Sequence, residues 1–151
     1  MDLVKVKKEF FIKCKMNGAY KELLISDSGR PCVLLINLKY KGRFLKFVVP
    51  IRSNISPNTP KNTFFALPPN SRTKQRHYHG IHYTKMFPIK DEFIDQFLIS
   101  SNMFLVNIKK IIDANEKDIV CSCQKYLNNY EHGLKVLYSP DIDKILEWLN
   151  I

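Results

Sequence analysis

Cys32–Tyr40 reads CVLLINLKY and Phe44–Ile51 reads FLKFVVPI, and only Lys41-Gly42-Arg43 separates them. Both segments are rich in β-branched and aromatic residues, and two such runs joined by a short glycine-containing turn predict a β-hairpin. In the first run, polar residues such as Asn37 and Lys39 alternate with apolar ones, so we expect one face of the hairpin to be polar. The hairpin indicates an antiparallel sheet.

Shorter strand-like segments lie on both sides of the hairpin. Phe10-Phe11-Ile12 predicts a first strand, residues 64–67 a short strand, and residues 81–87 a further one. Residues 52–63 are dense in Asn, Pro, Ser and Thr and predict a loop, as do residues 68–80. The first 90 residues are therefore expected to be mainly β-structure.

From Asp91 onward, the apolar pattern takes on the helical period of 3.6 residues. The stripes are Phe93, Ile94, Phe97 and Leu98; then Phe104, Ile108, Ile111 and Ile112; and finally Ile142, Ile145, Leu146 and Leu149 behind Asp141. Another helix is expected from Glu116 to about Asn129. The predicted fold class is α+β, a compact twisted antiparallel sheet with helices mainly in the C-terminal half. Neither a repeat nor a linker divides the 151 residues, so we expect one domain over residues 1–151.

Composition is that of a folded protein, with 45% apolar and 25% charged residues. No apolar run approaches the roughly 20 residues that a bilayer span needs, and charges interrupt the N-terminal apolar stretch. A cytoplasmic location without a membrane partner is the expectation. The four cysteines (Cys14, Cys32, Cys121 and Cys123) fit free thiols better than a zinc site, because a lone CxC lacks a second ligand pair. We expect neither a metal nor another cofactor.

The formal net charge is +10, and one block supplies all of the excess. From Ser28 to Lys90, 63 consecutive residues contain no Asp or Glu but twelve Lys or Arg, whereas the other 88 residues carry twelve cations against fourteen acids. Unpaired positive charge on a compact surface attracts polyanions. RNA is the expected partner, and generic basicity for solubility is the alternative. A membrane-surface or acidic-protein binder would need a basic amphipathic helix, whereas the helical half is close to neutral.

Pro50-Ile51-Arg52-Ser53-Asn54 marks the point where an apolar strand is expected to open into a polar loop. Such strand ends often display reactive groups. Arg52 could clamp phosphate oxygens and Ser53 could hydrogen-bond one of them. The same residues are also common in ordinary turns.

Residues 71–85, SRTKQRHYHGIHYTK, interleave cations with aromatic rings. Bases stack on rings while cations follow the phosphates, so this composition suits single-stranded RNA. Histidine exchanges protons near neutral pH, which makes His79 and His82 candidates for proton transfer. The side chains that we expect to contact RNA are Lys39, Lys41, Lys61, Arg72, Lys74, Arg76, His79 and Lys85.

The acid-free block restricts the possible chemistry of RNA cleavage. Metal-dependent nucleases hold their ions with clustered carboxylates, and the block offers none. A nuclease built on this block would have to activate the ribose 2′-OH and stabilise the phosphorane with cationic and hydroxyl side chains.

Five features occur in a recognisable order and spacing along the chain. They are an aromatic N-terminal segment (Phe10, Phe11), a basic residue before the hairpin (Arg30), a Pro-apolar-x-Ser strand end (Pro50 to Ser53), a Phe-Pro-Ile segment (Phe87 to Ile89) and an Ile-x-x-Asn helix (Ile112 to Asn115). In these features the sequence resembles the endoribonuclease toxins of type III toxin–antitoxin systems, the ToxN/AbiQ group with its relatives CptN and TenpN. The resemblance extends over most of the chain.

The resemblance implies a barrel-like sheet similar to the Kid/MazF toxins and metal-independent cleavage of RNA to a 2′,3′-cyclic phosphate. It implies a role in phage defence, inhibition by a small RNA antitoxin of repeated pseudoknots, cellular RNA substrates and an oligomeric toxin–RNA complex. By position, Ser53 matches the family's active-site serine, Arg30 replaces a lysine, Arg52 stands where threonine is common, and Tyr20 is a candidate for an active-site tyrosine.

Two arginines at these positions would clamp phosphate but transfer protons poorly, because the guanidinium pKa lies far above neutral pH and the group stays protonated. We therefore expect Arg30 and Arg52 to stabilise the transition state, and His82 or His79 to move the proton. The alternative is a non-catalytic RNA-binding module in which the same basic block only grips phosphates.

Overall fold

A computed structural model describes residues 1–24, 33–99 and 102–151. The hairpin is confirmed: β2 (Val33–Tyr40) pairs antiparallel with β3 (Arg43–Ile55) over its whole length. Lys41 and Gly42 form the turn, with φ of 48° and 78°. Positive φ at both central residues matches the right-handed twist of the strands, and glycine adopts it without steric cost.

The sheet is built outward from this hairpin. The additional strands are β1 (Asp2–Val6), β4 (Phe64–Leu67), β5 (Tyr78–His82), β6 (Phe87–Pro88) and β7 (Ile94–Gln96). The strand order is β4-β5-β3-β2-β1-β7, and β6 pairs with β3 beside β5. Every pairing is antiparallel. The sheet curls into a half-barrel, and the predicted α+β class is confirmed.

Both faces of β3 are covered, which explains its continuous apolar run. Phe47 and Val49 belong to a core with residues of α2 (Met103–Ala114) and α3 (Glu116–Glu131). Val48 points the other way, into a second core with α1 (Lys8–Met16) and α4 (Ile142–Leu149). In β2, Asn37 and Lys39 are exposed between buried neighbours, as the alternation predicted.

The prediction of a strand at Phe10-Phe11-Ile12 is wrong, because these residues lie in α1 and the first strand is β1. Phe10, Phe11 and Cys14 have helical spacing and are all buried in the second core. Phe10 stacks on Phe87 with 5.1 Å between ring centroids. The short aromatic run was compatible with either structure, and its packing selects the helix.

The helix predicted to begin at Asp91 is also wrong. Asp91–Phe93 forms a single 3₁₀ turn, and β7 follows it at once. Phe93 fills the second core, while Val6 pairs with Ile94 across the edge of the sheet. A strand partner nearly 90 residues away overrides the local helical period.

The remaining helices agree with the sequence. Phe104 and Ile112 lie in α2, Glu116 begins α3, and α4 carries the last apolar stripe. Asn102 and Asp141 cap α2 and α4 by accepting backbone N–H bonds. Among the described residues, none of the helices is long and apolar enough to cross a bilayer.

Candidate functional site

Arg52 and Ser53 lie within β3, which continues to Ile55, so the predicted loop begins at residue 56 rather than 52. Arg52 pairs with Gly80 and Ile55 with Tyr78. Three steps along β3 therefore oppose two along β5, and the extra residue is a β-bulge at Ser53–Asn54. Bulges re-aim side chains and are common beside active sites.

The bulge holds the loop over residues 68–77. Asn70 Nδ2 donates to Ser53 Oγ at 2.9 Å, and Asn54 Nδ2 donates to the Arg72 carbonyl at 2.9 Å. The Lys74 N–H donates to Asn54 Oδ1 at 2.7 Å. The Ser-Asn pair therefore fixes a loop that exposes Arg72, Lys74 and Arg76.

One side of β3 forms a cavity of about 250 Å³, which we call the serine cavity. Its polar lining consists of Ser53, Asn70, Ser71, Arg72, His79 and Asn102. Phe104 and Ile108 of α2 form its apolar wall. Because Ser53 Oγ accepts its bond from Asn70, its own O–H remains available as a donor.

His79 is buried at the edge of the serine cavity. Its Nδ1 lies 2.7 Å from the Pro68 carbonyl, which can only accept, so Nδ1 carries the proton and Nε2 keeps its lone pair. Its ring stacks on Phe104 with centroids 6.1 Å apart. Burial lowers the pKa of His79, partly offset by the Pro68 bond, so the ring is neutral at pH 7 and able to accept a proton.

The other side of β3 carries a second opening, the arginine cavity, of about 550 Å³. Its lining includes Arg52, His82, Thr84, Asn58, Thr59 and Tyr138. Successive residues of a strand point to opposite faces, so Ser53 and Arg52 enter different cavities, as do His79 and His82. The candidate catalytic residues Arg52, Ser53, His79 and His82 are therefore divided between two faces of the sheet.

His82 joins Arg52 to Thr84. Arg52 Nη1 lies 3.1 Å from His82 Nδ1, and Thr84 Oγ1 lies 3.0 Å from His82 Nε2. The guanidinium can only donate, so Nδ1 accepts and the Nε2 proton points to Thr84. Burial, and then the charges of Arg52 and Lys85, lowers the pKa of His82 to about 4. At neutral pH this ring is uncharged, with both nitrogens engaged, which suits positioning of Arg52 better than proton transfer.

In the folded protein, two lysines of the acid-free block form ion pairs with carboxylates from outside the block. Buried Lys85 donates to Glu22 at 3.0 Å and to the Tyr138 carbonyl at 2.6 Å. Lys41 at the hairpin tip pairs with Asp143 at 2.7 Å. The sequence alone does not reveal these pairings, because both carboxylates lie outside the block; it predicts RNA contacts for both lysines.

The other predicted RNA contacts are more open, except for His79, which is buried. Lys61, Arg72, Lys74 and Arg76 are exposed around the end of β3, whereas exposed Lys39 lies on β2 near the hairpin tip. The sequence missed Asn70 and Phe104 as parts of the serine cavity. Asn70 lies in the predicted loop over residues 68–80, and the helical period of the sequence predicts only a packing role for Phe104.

Tyr20 is half-buried against the second core, with Lys15 Nζ 5.9 Å from its ring centroid. Among the described residues it is not in the lining of either cavity. Arg30 and Cys32 lie outside the described residues. Their proposed roles stay predictions.

Together, the curled antiparallel sheet and the helices around it form the ToxN-like fold, as the resemblance predicted. The chain is similar to a solved structure described as "A processed non-coding RNA regulates a bacterial antiviral system", with a TM-score of 0.74 and 15% sequence identity. The match covers 100% of this chain and 99% of the other, so the likeness is one of whole folds. No protein-family model and no curated protein matches the sequence.

Proposed function

We propose that this protein is the toxin of a type III toxin–antitoxin system. It is an endoribonuclease that cleaves RNA without a metal ion and is inhibited by an RNA antitoxin. The observation that carries the proposal is the serine cavity, where a serine hydroxyl, a neutral histidine and an arginine line one opening on a ToxN-like fold. These groups match the needs of phosphodiester cleavage by an internal 2′-OH.

In the proposed reaction, His79 Nε2 accepts the proton of the ribose 2′-OH. The 2′-oxygen then attacks phosphorus, and the P–O5′ bond breaks. O5′ takes a proton from water, and the His79 imidazolium returns its proton to the hydroxide that is left. The products are a 2′,3′-cyclic phosphate and a 5′-hydroxyl. The Ser53 hydroxyl donates to a non-bridging oxygen, and Arg72 neutralises charge that develops on the phosphorane.

The donor groups of the serine cavity support a mechanism without metal. Hydroxyl, amide, imidazole and guanidinium groups line it, whereas Mg²⁺ prefers carboxylate oxygens. Within the three described ranges, His, Cys, Asp and Glu side chains form no group of three or more that could hold a metal ion.

The exposed cations around the end of β3 support an RNA partner. Arg72, Lys74 and Arg76 lie on one loop held against Ser53 and Asn54, so RNA bound to this loop would lie beside the serine cavity. The full proposal includes cellular RNA substrates, a repeated pseudoknot antitoxin, an oligomeric toxin–RNA complex and a cytoplasmic site of action.

The test compares RNA cleavage by the purified protein, Ser53→Ala and His79→Asn in EDTA. Each substitution is expected to lower the cleavage rate at least 100-fold while RNA affinity stays within about threefold. His132→Asn, at the exposed end of α3, is the matched histidine control and should cleave normally. RNA binding without cleavage, and harmless expression in bacteria, would instead establish a non-catalytic RNA-binding module.

A further inference from the structure

The arginine cavity takes no part in the proposed cleavage step, yet it has the features of a ligand site. Its volume of about 550 Å³ lies within the range typical of small-molecule pockets. It opens on the face of β3 opposite to the serine cavity. A ligand in the arginine cavity is therefore separated from Ser53 by the strand.

The base of the cavity presents a positioned cation. Arg52 is half-buried, and burial lowers its pKa, which shows that its charge is held at an energetic cost. The partner described for its guanidinium is the neutral His82, which supplies direction but no negative charge. One of five N–H donors is used in that bond, and the others can bind an anion.

Among the residues that the structure describes, the neighbouring charges are engaged elsewhere and do not compete for Arg52. Glu22 also lines the cavity, but it bonds to Lys85 at 3.0 Å. Lys85 also donates to the Tyr138 carbonyl, so the Lys85–Glu22 ion pair is a fixed part of the cavity wall. Thr84 is held by His82, which leaves the arginine as the anion-binding group.

The outer wall of the cavity is suited to a planar ring. Tyr138 and Val136 line it from the segment after α3, and Pro60 lines it from the loop after β3. The Tyr138 side chain is 66% exposed and Val136 is 40% exposed, although both are large apolar residues. Exposed aromatic and aliphatic surface beside a cation is how proteins bind unpaired bases next to their phosphates.

We propose that the arginine cavity binds one uncleaved nucleotide of an RNA chain, with its phosphate on Arg52 and its base against Tyr138. The inference rests on the proposed function for its RNA ligand but does not depend on cleavage. The cavity would position RNA from the face opposite to the reacting phosphate, with His82 as a positioning residue for Arg52.

The direct test is calorimetric titration of the full-length protein with the four nucleoside 3′-monophosphates and with inorganic phosphate. We expect at least one nucleotide to bind at least tenfold more tightly than phosphate. Arg52→Gln should weaken nucleotide and phosphate alike by tenfold or more, while Tyr138→Ala should remove only the advantage of the nucleotide. Ser53→Ala should bind the nucleotide as the unmodified protein does.

Tyr138→Ala keeps the test decisive if Arg52→Gln fails to fold, because the side chain of Tyr138 is largely exposed. Nucleotide binding that is unchanged by Tyr138→Ala, or lost in Ser53→Ala, would overturn the proposal. Nucleotide binding with the expected variant pattern in a protein that does not cut RNA would refute the proposed function and leave the site intact.

Discussion

Acidification from pH 7 to pH 5 should destabilise the protein through one buried ring. The pKa of His82 is lowered from 6.5 to about 4 in the folded protein, first by burial and then by the charges of Arg52 and Lys85. The unfolded chain therefore binds more protons than the folded one across this window, and stability falls as the pH falls. With these two values, His82 alone removes about 2 kcal/mol of unfolding free energy between pH 7 and pH 5.

The assay is urea unfolding at both pH values for the unmodified protein and for His82→Asn. The asparagine carbonyl can accept the Arg52 bond but cannot titrate, so the variant should lose about 2 kcal/mol less over the same interval. His132→Asn replaces an exposed histidine and should behave as the unmodified protein.

The decisive quantity is the unfolding free energy lost between pH 7 and pH 5, compared between the unmodified protein and His82→Asn. If the two proteins lose the same unfolding free energy to within about 0.5 kcal/mol, the resolution of good urea data, the ring is not held neutral by burial and the adjacent cations. The positioning role of His82 would then have no support.

Three further predictions concern packing, proton transfer and charge. Gly80→Ala should destabilise the fold by about 1–3 kcal/mol in urea unfolding, because a Cβ there would lie 2.5 Å from the Phe65 carbonyl oxygen; unchanged stability would contradict the tight β4–β5 approach. If His79 is the base, the cleavage rate should fall on acidification with a midpoint below pH 6.5, since burial lowers its pKa below that value; a rate that rises on acidification would exclude this role. Replacing Arg72, Lys74 and Arg76 together with Gln should reduce the log–log salt slope of single-stranded RNA binding by about 2, at roughly 0.7 per phosphate contact; an unchanged slope would place the RNA elsewhere.

Local patterns were sufficient to predict much of the fold. The hairpin around Lys41-Gly42 and the helices α2 to α4 follow from strong periodicity and turn chemistry. The errors at Phe10 and at Ile94 share a cause. Each segment is short, and its structure is decided by partners distant in sequence: Phe87 and Trp148 for Phe10, and β1 for Ile94.

The candidate site was predictable in its residues but not in its arrangement. The sequence drew attention to Arg52, Ser53, His79 and His82, and all four line cavities. Neighbours in sequence were treated as one site because a loop was expected after Ile51. Since β3 continues to Ile55, alternation sends Arg52 and Ser53 to opposite faces.

In the proposed reaction, the serine cavity lets a ribose attack its own phosphodiester without a metal ion. The most direct measurement is analysis of the RNA ends produced by the purified protein in excess EDTA. The unmodified protein should produce 2′,3′-cyclic phosphate and 5′-hydroxyl ends, and Ser53→Ala should give only background cleavage. Cleavage that requires added Mg²⁺, or that leaves 5′-phosphate ends, would contradict the proposed reaction.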